Sequence, residues 1–247
     1  MSENTKKILE IKHLDKSFGG VHAINDLSFD LYEGEILGLI GPNGCGKSTT
    51  VNLVTGVYIQ DSGDIIYDGK EYLVKQSVPD RARMGLARTF QSPKPFSNMT
   101  VFDSVYTVCM LYNRSMKEAK EKAQELMELT EFADQAGTLC SKLPIEKRKW
   151  LDMTRALATR PKILMLDECL AGLTPSEMES SIELVKKING LGITILFIEH
   201  VMSAVVNLCH RVVVMNEGHF LSQGEPTVVM RQPEVIKAYL GEDYENA

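Results

Sequence analysis

Two periodicities of apolar residues alternate along the chain. Residues 8–14 and 23–31 read as strands joined by a glycine turn at Gly19 and Gly20, and 35–40 is a short apolar strand. A helical segment follows from Ser48 to Val54 and stops near Gly56, giving the order strand, glycine loop, helix. Pro93, Pro95 and neighbouring polar residues break the pattern over 92–97. Residues 115–133 then predict a helix that opens on a capping box of Ser115 and Glu118, with Ala119, Ala123, Leu126, Leu129 and Ala133 on its apolar face. A second helix begins at Thr174 with Pro175 in its first turn and Glu177 closing a capping box. It buries Met178, Ile182, Val185 and Ile188 and ends at Gly190.

Residues 163–166 and 193–198 are almost continuously apolar, as in the strands of a parallel sheet covered by helices on both faces. Residues 212–215 and 219–222, linked by Asn216-Glu217-Gly218, predict a hairpin, and 226–240 returns to helix before a polar, acidic tail. The fold class is α/β.

Composition narrows the function. The chain has 247 residues, 44% hydrophobic and 24% charged, enough for one substantial domain with a buried core. A net charge of -6 argues against a nucleic-acid phosphate backbone as the main partner, which calls for a basic stripe. The five cysteines are widely spaced, with no CxxC pair, and read as reduced cytosolic thiols rather than a metal site. Residues 1–7 lack an apolar signal core and no apolar run exceeds strand length, so membrane association is expected to come through a partner.

The chemistry concentrates at two places. Gly41-Pro42-Asn43-Gly44-Cys45-Gly46-Lys47-Ser48 has the P-loop spacing, in which glycines let backbone N–H groups wrap phosphates at the start of a helix. Lys47 is expected on the β- and γ-phosphates, Ser48 on Mg²⁺, and Thr49 beside them in the first helical turn. Asp167 and Glu168 end the apolar strand 163–166, where an α/β sheet presents its ligands. Asp167 is placed to hold Mg²⁺, and Glu168 to orient and activate the attacking water, a role worth about 10²–10⁴ in rate.

With these motifs in this order, the chain resembles the nucleotide-binding subunit of an ATP-binding cassette (ABC) transporter over nearly its whole length. The resemblance implies a mostly parallel core sheet flanked by helices, an antiparallel β subdomain, a helical subdomain at about 92–150, a helical tail at about 225–247, and ATP hydrolysis with Mg²⁺. It also assigns roles. Phe18 matches the aromatic that stacks on adenine. Gln91, in Arg88-Thr89-Phe90-Gln91, matches the Q-loop glutamine that senses Mg²⁺ and the membrane partner. His200 matches the switch histidine on the γ-phosphate. Ala171-Gly172-Leu173-Thr174-Pro175 falls at the D-loop but lacks its usual aspartate, and Cys169 stands where proline usually follows the glutamate.

One segment departs further. The signature loop, normally Leu-Ser-Gly-Gly-Gln, aligns with Leu143-Pro144-Ile145-Glu146-Lys147. Pro144 has neither a hydroxyl nor an N–H to offer a phosphate, and Glu146 adds like charge. Each lost charge-assisted bond costs about 1.5–3 kcal/mol. Lys147 and Arg148 could replace those donors electrostatically.

The resemblance implies two such subunits, identical or not, sandwiching two ATP molecules head to tail and driving transmembrane permease subunits, with a solute-binding protein acting indirectly and no nucleic acid involved. It places the chain in the cytoplasm, on the inner face of the membrane through those permeases. The altered loop favours a heterodimer with unequal sites. Residues 83–91, Met99-Thr100-Val101 and 232–241 resemble the branched-chain amino-acid importer subgroup. The ATPase of lipopolysaccharide export, urea or amide importers, a soluble ABC ATPase of DNA repair or translation, and a subunit that binds ATP but hydrolyses little remain as alternatives.

Overall fold

In a computed structural model, residues 6–240 are described. The chain opens with an antiparallel sheet. Strands β1 (Lys7–Phe18) and β2 (Val21–Tyr32) form a hairpin across Gly19 and Gly20, both at positive φ, and β4 (Ser62–Tyr67) and β5 (Glu71–Tyr72) extend it in the order β2-β1-β4-β5. The larger sheet adds β3 (Ile36–Ile40), β6 (Leu86–Arg88), β7 (Ile163–Asp167), β8 (Thr194–Ile198), β9 (Arg211–Asn216) and β10 (His219–Gly224), in the order β10-β9-β3-β8-β7-β6. All its pairings are parallel except the β9–β10 hairpin, whose turn places Glu217 and Gly218 at positive φ as a two-residue primed turn demands.

The helices are α1 (Lys47–Thr55), α2 (Val78–Arg83), α3 (Val101–Tyr112), α4 (Met116–Leu129), α5 (Ile145–Ala158), α6 (Pro175–Gly190), α7 (Met202–Leu208), α8 (Pro226–Val229) and α9 (Pro233–Leu240). Period-2 alternation sorts the strand residues between two cores. Ile36, Ile40, Leu164, Leu166, Ile195 and Phe197 pack with helices α3 to α7. Leu37, Leu39, Ile163, Met165, Leu196 and Ile198 pack with α1 and the antiparallel sheet. The second face is therefore covered largely by β-structure rather than by helices alone, because the apolar face of β1, β2 and β4 supplies the same burial.

Local signals set the element ends. The Thr174 hydroxyl accepts from the Glu177 N–H, and the Glu177 carboxylate accepts from the Thr174 N–H at 2.7 Å, so the predicted capping box of α6 is complete. At α4 the box is different: Ser115 caps Glu118, but the Glu118 carboxylate reaches the Arg114 N–H instead. The expected helix 115–133 stops at Leu129. Glu131 takes a left-handed φ of 58° and the Phe132 N–H returns to the Met127 carbonyl, a Schellman-type stop that buries Phe132, and Ala133 belongs to a separate 3₁₀ turn. The expected helix 226–240 is two helices, since Pro233 disfavours helical backbone at Gln232. The acidic tail after 240 lies outside the described residues. Helix α3, rich in Val, Phe and Tyr, has no clear helical signal in sequence and is started by Thr100, whose hydroxyl accepts from the Asp103 N–H.

One buried charge holds α2 to α1. Arg81 is 2% exposed and has no carboxylate partner among the described residues. Its guanidinium donates to the carbonyls of Leu53, Val54, Leu73 and Gln76 at 2.6–3.1 Å, two of them at the α1 C-terminus. Replacing it with leucine strands those acceptors in the interior. Arg81→Leu is expected to lower unfolding free energy by about 2–5 kcal/mol, read from urea denaturation midpoints at unchanged slope.

Candidate nucleotide site

The parallel register brings three loops to one level. Leu39 pairs with Ile198, Asp167 pairs with Ile198, and the Glu168 N–H donates to the Ile198 carbonyl at 2.9 Å. The loop after β3, the end of β7 and the end of β8 therefore open on the same edge, where open α/β sheets bind ligands.

The loop 41–46 is shaped by its glycines, which serve two purposes. A Cβ on Gly41 would collide with the Met215 carbonyl, and one on Gly46 would lie 2.5 Å from the Ala23 carbonyl, so these two permit close packing against β9 and β2. Gly44, at φ 79°, has open space beside it and lines a pocket of about 160 Å³ together with Asn43, Gly46, Lys47, Ser48, Thr49 and Glu168. The Lys47 ammonium is buried and donates to the carbonyls of Gly41 and Pro42 at 2.8 and 2.9 Å. Cys45 is buried, and burial pushes its thiol pKa up, as suits a small packing residue.

Asp167 is 2% exposed. Burial pushes its carboxyl pKa up, opposed by the Arg88 guanidinium, which donates to Oδ2 at 3.1 Å. Oδ1 is buried without a hydrogen-bond partner among the described residues, with Ser48 and Lys47 close enough to ease the carboxylate's charge. Arg88 is in turn held by the Asn52 side chain of α1 and lies over the Phe90 ring. Glu168 adopts a left-handed φ of 49°, which costs a non-glycine residue about 1–2 kcal/mol. Its Oε2 accepts from Gln91 Nε2 at 2.6 Å.

The structure thus brings the P-loop, Ser48, Thr49, Asp167, Glu168 and Gln91 together. Two residues stand apart. Phe18 is exposed at the hairpin end, edge-on to Tyr58 at 5.0 Å between ring centroids. His200 is exposed after β8, its Nδ1 4.0 Å from the Glu199 carboxylate. The loop 143–147 differs from expectation in its basic residues. Arg148 donates to the Leu143 and Ser141 carbonyls, and Lys147 lies 3.7 Å above the Trp150 ring, so both side chains are engaged within their own subdomain. Pro144 starts α5 without a side-chain cap. Sequence reasoning assigned no part to Arg88, Lys149 or Glu199. Arg88 adjoins a motif, but nothing in the pattern of α5 or β8 marks Lys149 and Glu199 as buried.

The donor set fits a magnesium ion bound with nucleotide. Mg²⁺ takes one or two protein oxygens and completes its shell with phosphates and water, and Asp167 presents a buried carboxylate oxygen without a protein partner next to the Ser48 hydroxyl. Among the described residues no three His, Cys, Asp or Glu side chains gather into a self-sufficient metal site.

A phosphate cradle at a helix start with two carboxylates on the neighbouring strand end defines a P-loop nucleotide hydrolase. The ABC transporter family pattern matches residues 24–171. The high-affinity branched-chain amino acid transport ATP-binding protein BraF of Pseudomonas aeruginosa is 37% identical, covering 96% of this chain and 99% of its own length. The lipopolysaccharide export system ATP-binding protein LptB of Escherichia coli is 30% identical over 96% of this chain and 98% of its own. The ADP conformation of MJ1267, an ATP-binding cassette of an ABC transporter, superposes with a TM-score of 0.87 at 29% identity, over 96% of this chain and all of that one. The chain belongs to the ABC transporter family and is an ATP-hydrolysing subunit of that kind. No described helix is long and apolar enough to cross a membrane.

The two classes of loop glycine separate by experiment. Gly44→Ala should cost about 1–2 kcal/mol of stability, the left-handed penalty alone, while weakening nucleotide binding. Gly41→Ala and Gly46→Ala should cost more, because backbone must move. Thermal midpoints without nucleotide, set beside ATP titrations, report the two effects independently.

Proposed function

We propose that this chain energises an importer of branched-chain or other hydrophobic amino acids. Support comes from the 37% identity to BraF, which runs almost the full length of both chains. The likeness to LptB, at 30%, keeps an envelope-lipid exporter as the second reading. In cells lacking this chain, uptake of labelled leucine, isoleucine and valine should fall at least tenfold and return with the wild-type gene. Unchanged uptake would exclude the amino-acid reading.

At the site, the N–H groups of Asn43 to Ser48 and the Lys47 ammonium bind the phosphates, Lys47 exchanging its Gly41 and Pro42 carbonyls for phosphate oxygen. Ser48 and Asp167 would hold Mg²⁺, which supplies charge neutralisation at the β- and γ-phosphates. Arg88 keeps Asp167 ionised in a dry setting and fixes which oxygen faces the ligand. Glu168 orients the attacking water and accepts its proton. Gln91, already bonded to Glu168, connects that carboxylate to the 90–100 loop leading to α3. Phe18 stacks on adenine and His200 contacts the γ-phosphate.

Two such cassettes close head to tail on ATP, attached to permease subunits on the cytoplasmic face of the membrane, with an external solute-binding protein delivering cargo. The loop 143–147, with no serine hydroxyl or glycine N–H to offer and with Lys147 and Arg148 occupied, makes a poor site for a partner's ATP. The natural pair is therefore a heterodimer with unequal sites.

Glu168→Gln tests the catalytic assignment. It should cut turnover by about 10²–10⁴ while keeping ATP affinity within a fewfold, and should accumulate an ATP-bound dimer by mass. In the same assay wild-type chain alone should turn over more slowly than the chain with its second cassette. Equal rates for the homodimer and the mixed complex would count against unequal sites.

A further inference from the structure

The backbone that carries Glu168 is gripped from two sides by charges buried outside the nucleotide pocket. On one side is Lys149, in the second turn of α5, only 6% exposed although its side chain bears a full charge. Its ammonium donates to the Glu168 carbonyl at 3.4 Å and to the Ala171 carbonyl. On the other side is Glu199, wholly buried at the end of β8, whose Oε1 accepts from the Leu170 N–H at 2.7 Å and whose Oε2 accepts from the His200 N–H at 3.3 Å. A cation thus holds the carbonyls of the turn 168–171 and a carboxylate holds its amide. Burial lowers the lysine pKa, opposed in part by the Glu199 and Glu168 carboxylates, and raises that of Glu199, opposed first by its hydrogen bond from the Leu170 N–H.

The grip falls where the backbone needs it. Glu168 sits at φ 49°, in the left-handed region, between a regular strand and the loop that leads to α6. Residues held in that region persist only where their surroundings over-determine them. The Ile198 carbonyl fixes the Glu168 N–H, and the carbonyl of the same residue accepts from the Lys149 ammonium and from the Ala171 N–H, each at 3.4 Å, so both sides of the unusual dihedral pair are held.

We propose that Lys149 is a positioning residue for hydrolysis: by holding the Glu168 and Ala171 carbonyls it keeps Glu168 in its left-handed conformation and so aims the carboxylate at the attacking water. Lys149 is not among the residues lining the P-loop pocket and acts through the backbone of another residue. It projects from the helix that begins at the loop 143–147, so a shift of that helix is transmitted to Glu168 by way of the ammonium. The inference rests on the reading of Glu168 as the water-orienting group.

The test uses the full-length chain with its second cassette and combines kinetics with amide hydrogen exchange. Lys149→Met should lower kcat at least tenfold, leave KM for ATP within twofold, and speed exchange at the Leu170 amide at least tenfold. The Thr50 amide, bonded to Gly46 in α1, should not change. Lys149→Arg, which can still donate to both carbonyls, should restore kcat and Leu170 protection to within about threefold. Combined with Glu168→Gln, Lys149→Met should reduce turnover no further. Wild-type kcat and Leu170 protection in Lys149→Met would overturn the proposal, as would additive losses in the double variant. If Lys149→Met does not fold, Lys149→Gln takes its place with the same criteria: a lowered kcat at constant KM supports the clamp, and an unchanged kcat overturns it. Failure of the underlying reading is distinguishable, since Glu168→Gln would then keep its turnover while the exchange result at Leu170 still reports on the clamp.

Discussion

The in-register parallel pairing around Ile198 is the constraint on which the site depends. That one residue pairs with Leu39 on one side and Asp167 on the other, and its carbonyl takes the Glu168 N–H. A slip of one residue on either side would turn every side chain of a strand to the opposite core and would carry the P-loop away from its carboxylates. The register is secured because both faces of β3, β7 and β8 are buried, by helices α3 to α7 on one side and by α1 with the antiparallel sheet on the other.

A chain of net charge -6 has to build an anion site. It does so with backbone dipoles and with a few cations taken out of water: Lys47, Arg88 and Lys149 all have low exposure, and each is turned toward carbonyls or a carboxylate. Their desolvation is offset by short contacts with fixed groups, which also make them geometrically exacting. Arg81 follows the same logic away from the site, tying the end of the P-loop helix to α2 through carbonyls alone. The helix that starts at the P-loop is thus anchored at both ends, by the close packing of Gly46 and by a buried guanidinium.

The loop 143–147 shows how a departure in sequence is absorbed structurally. Pro144 stands at the N-cap with extended backbone, just before α5 begins at Ile145, a place where no intrahelical bond calls on the N–H it lacks. Arg148 closes the loop on its own carbonyls and Lys147 lies over Trp150. The helix keeps its packing while its first turn offers a phosphate less than serine and glycine would, and the residue of that helix most tightly bound to the site is Lys149, one turn further on.

Local chemistry was legible from the sequence. The strand, glycine loop and helix around Gly41 to Thr49, the carboxylates ending β7, the capping box at Thr174 and Glu177, and the turn at Glu217 and Gly218 all depend on residues within a few positions of one another, so their spacing carries their meaning. At two helix ends the sequence pattern overran or merged the elements: Phe132, where burial accompanies a left-handed turn at Glu131, and Pro233, which splits the last helical stretch. Only the folded chain decided which polar groups are buried and what they hold. Arg88 meets Asp167 across 79 positions, Lys149 meets Glu168 across 19, and Glu199 meets Leu170 across 29. No periodicity records such pairings, because burial of a charge is set by what packs opposite it, and that is a property of the sheet order and register rather than of any segment.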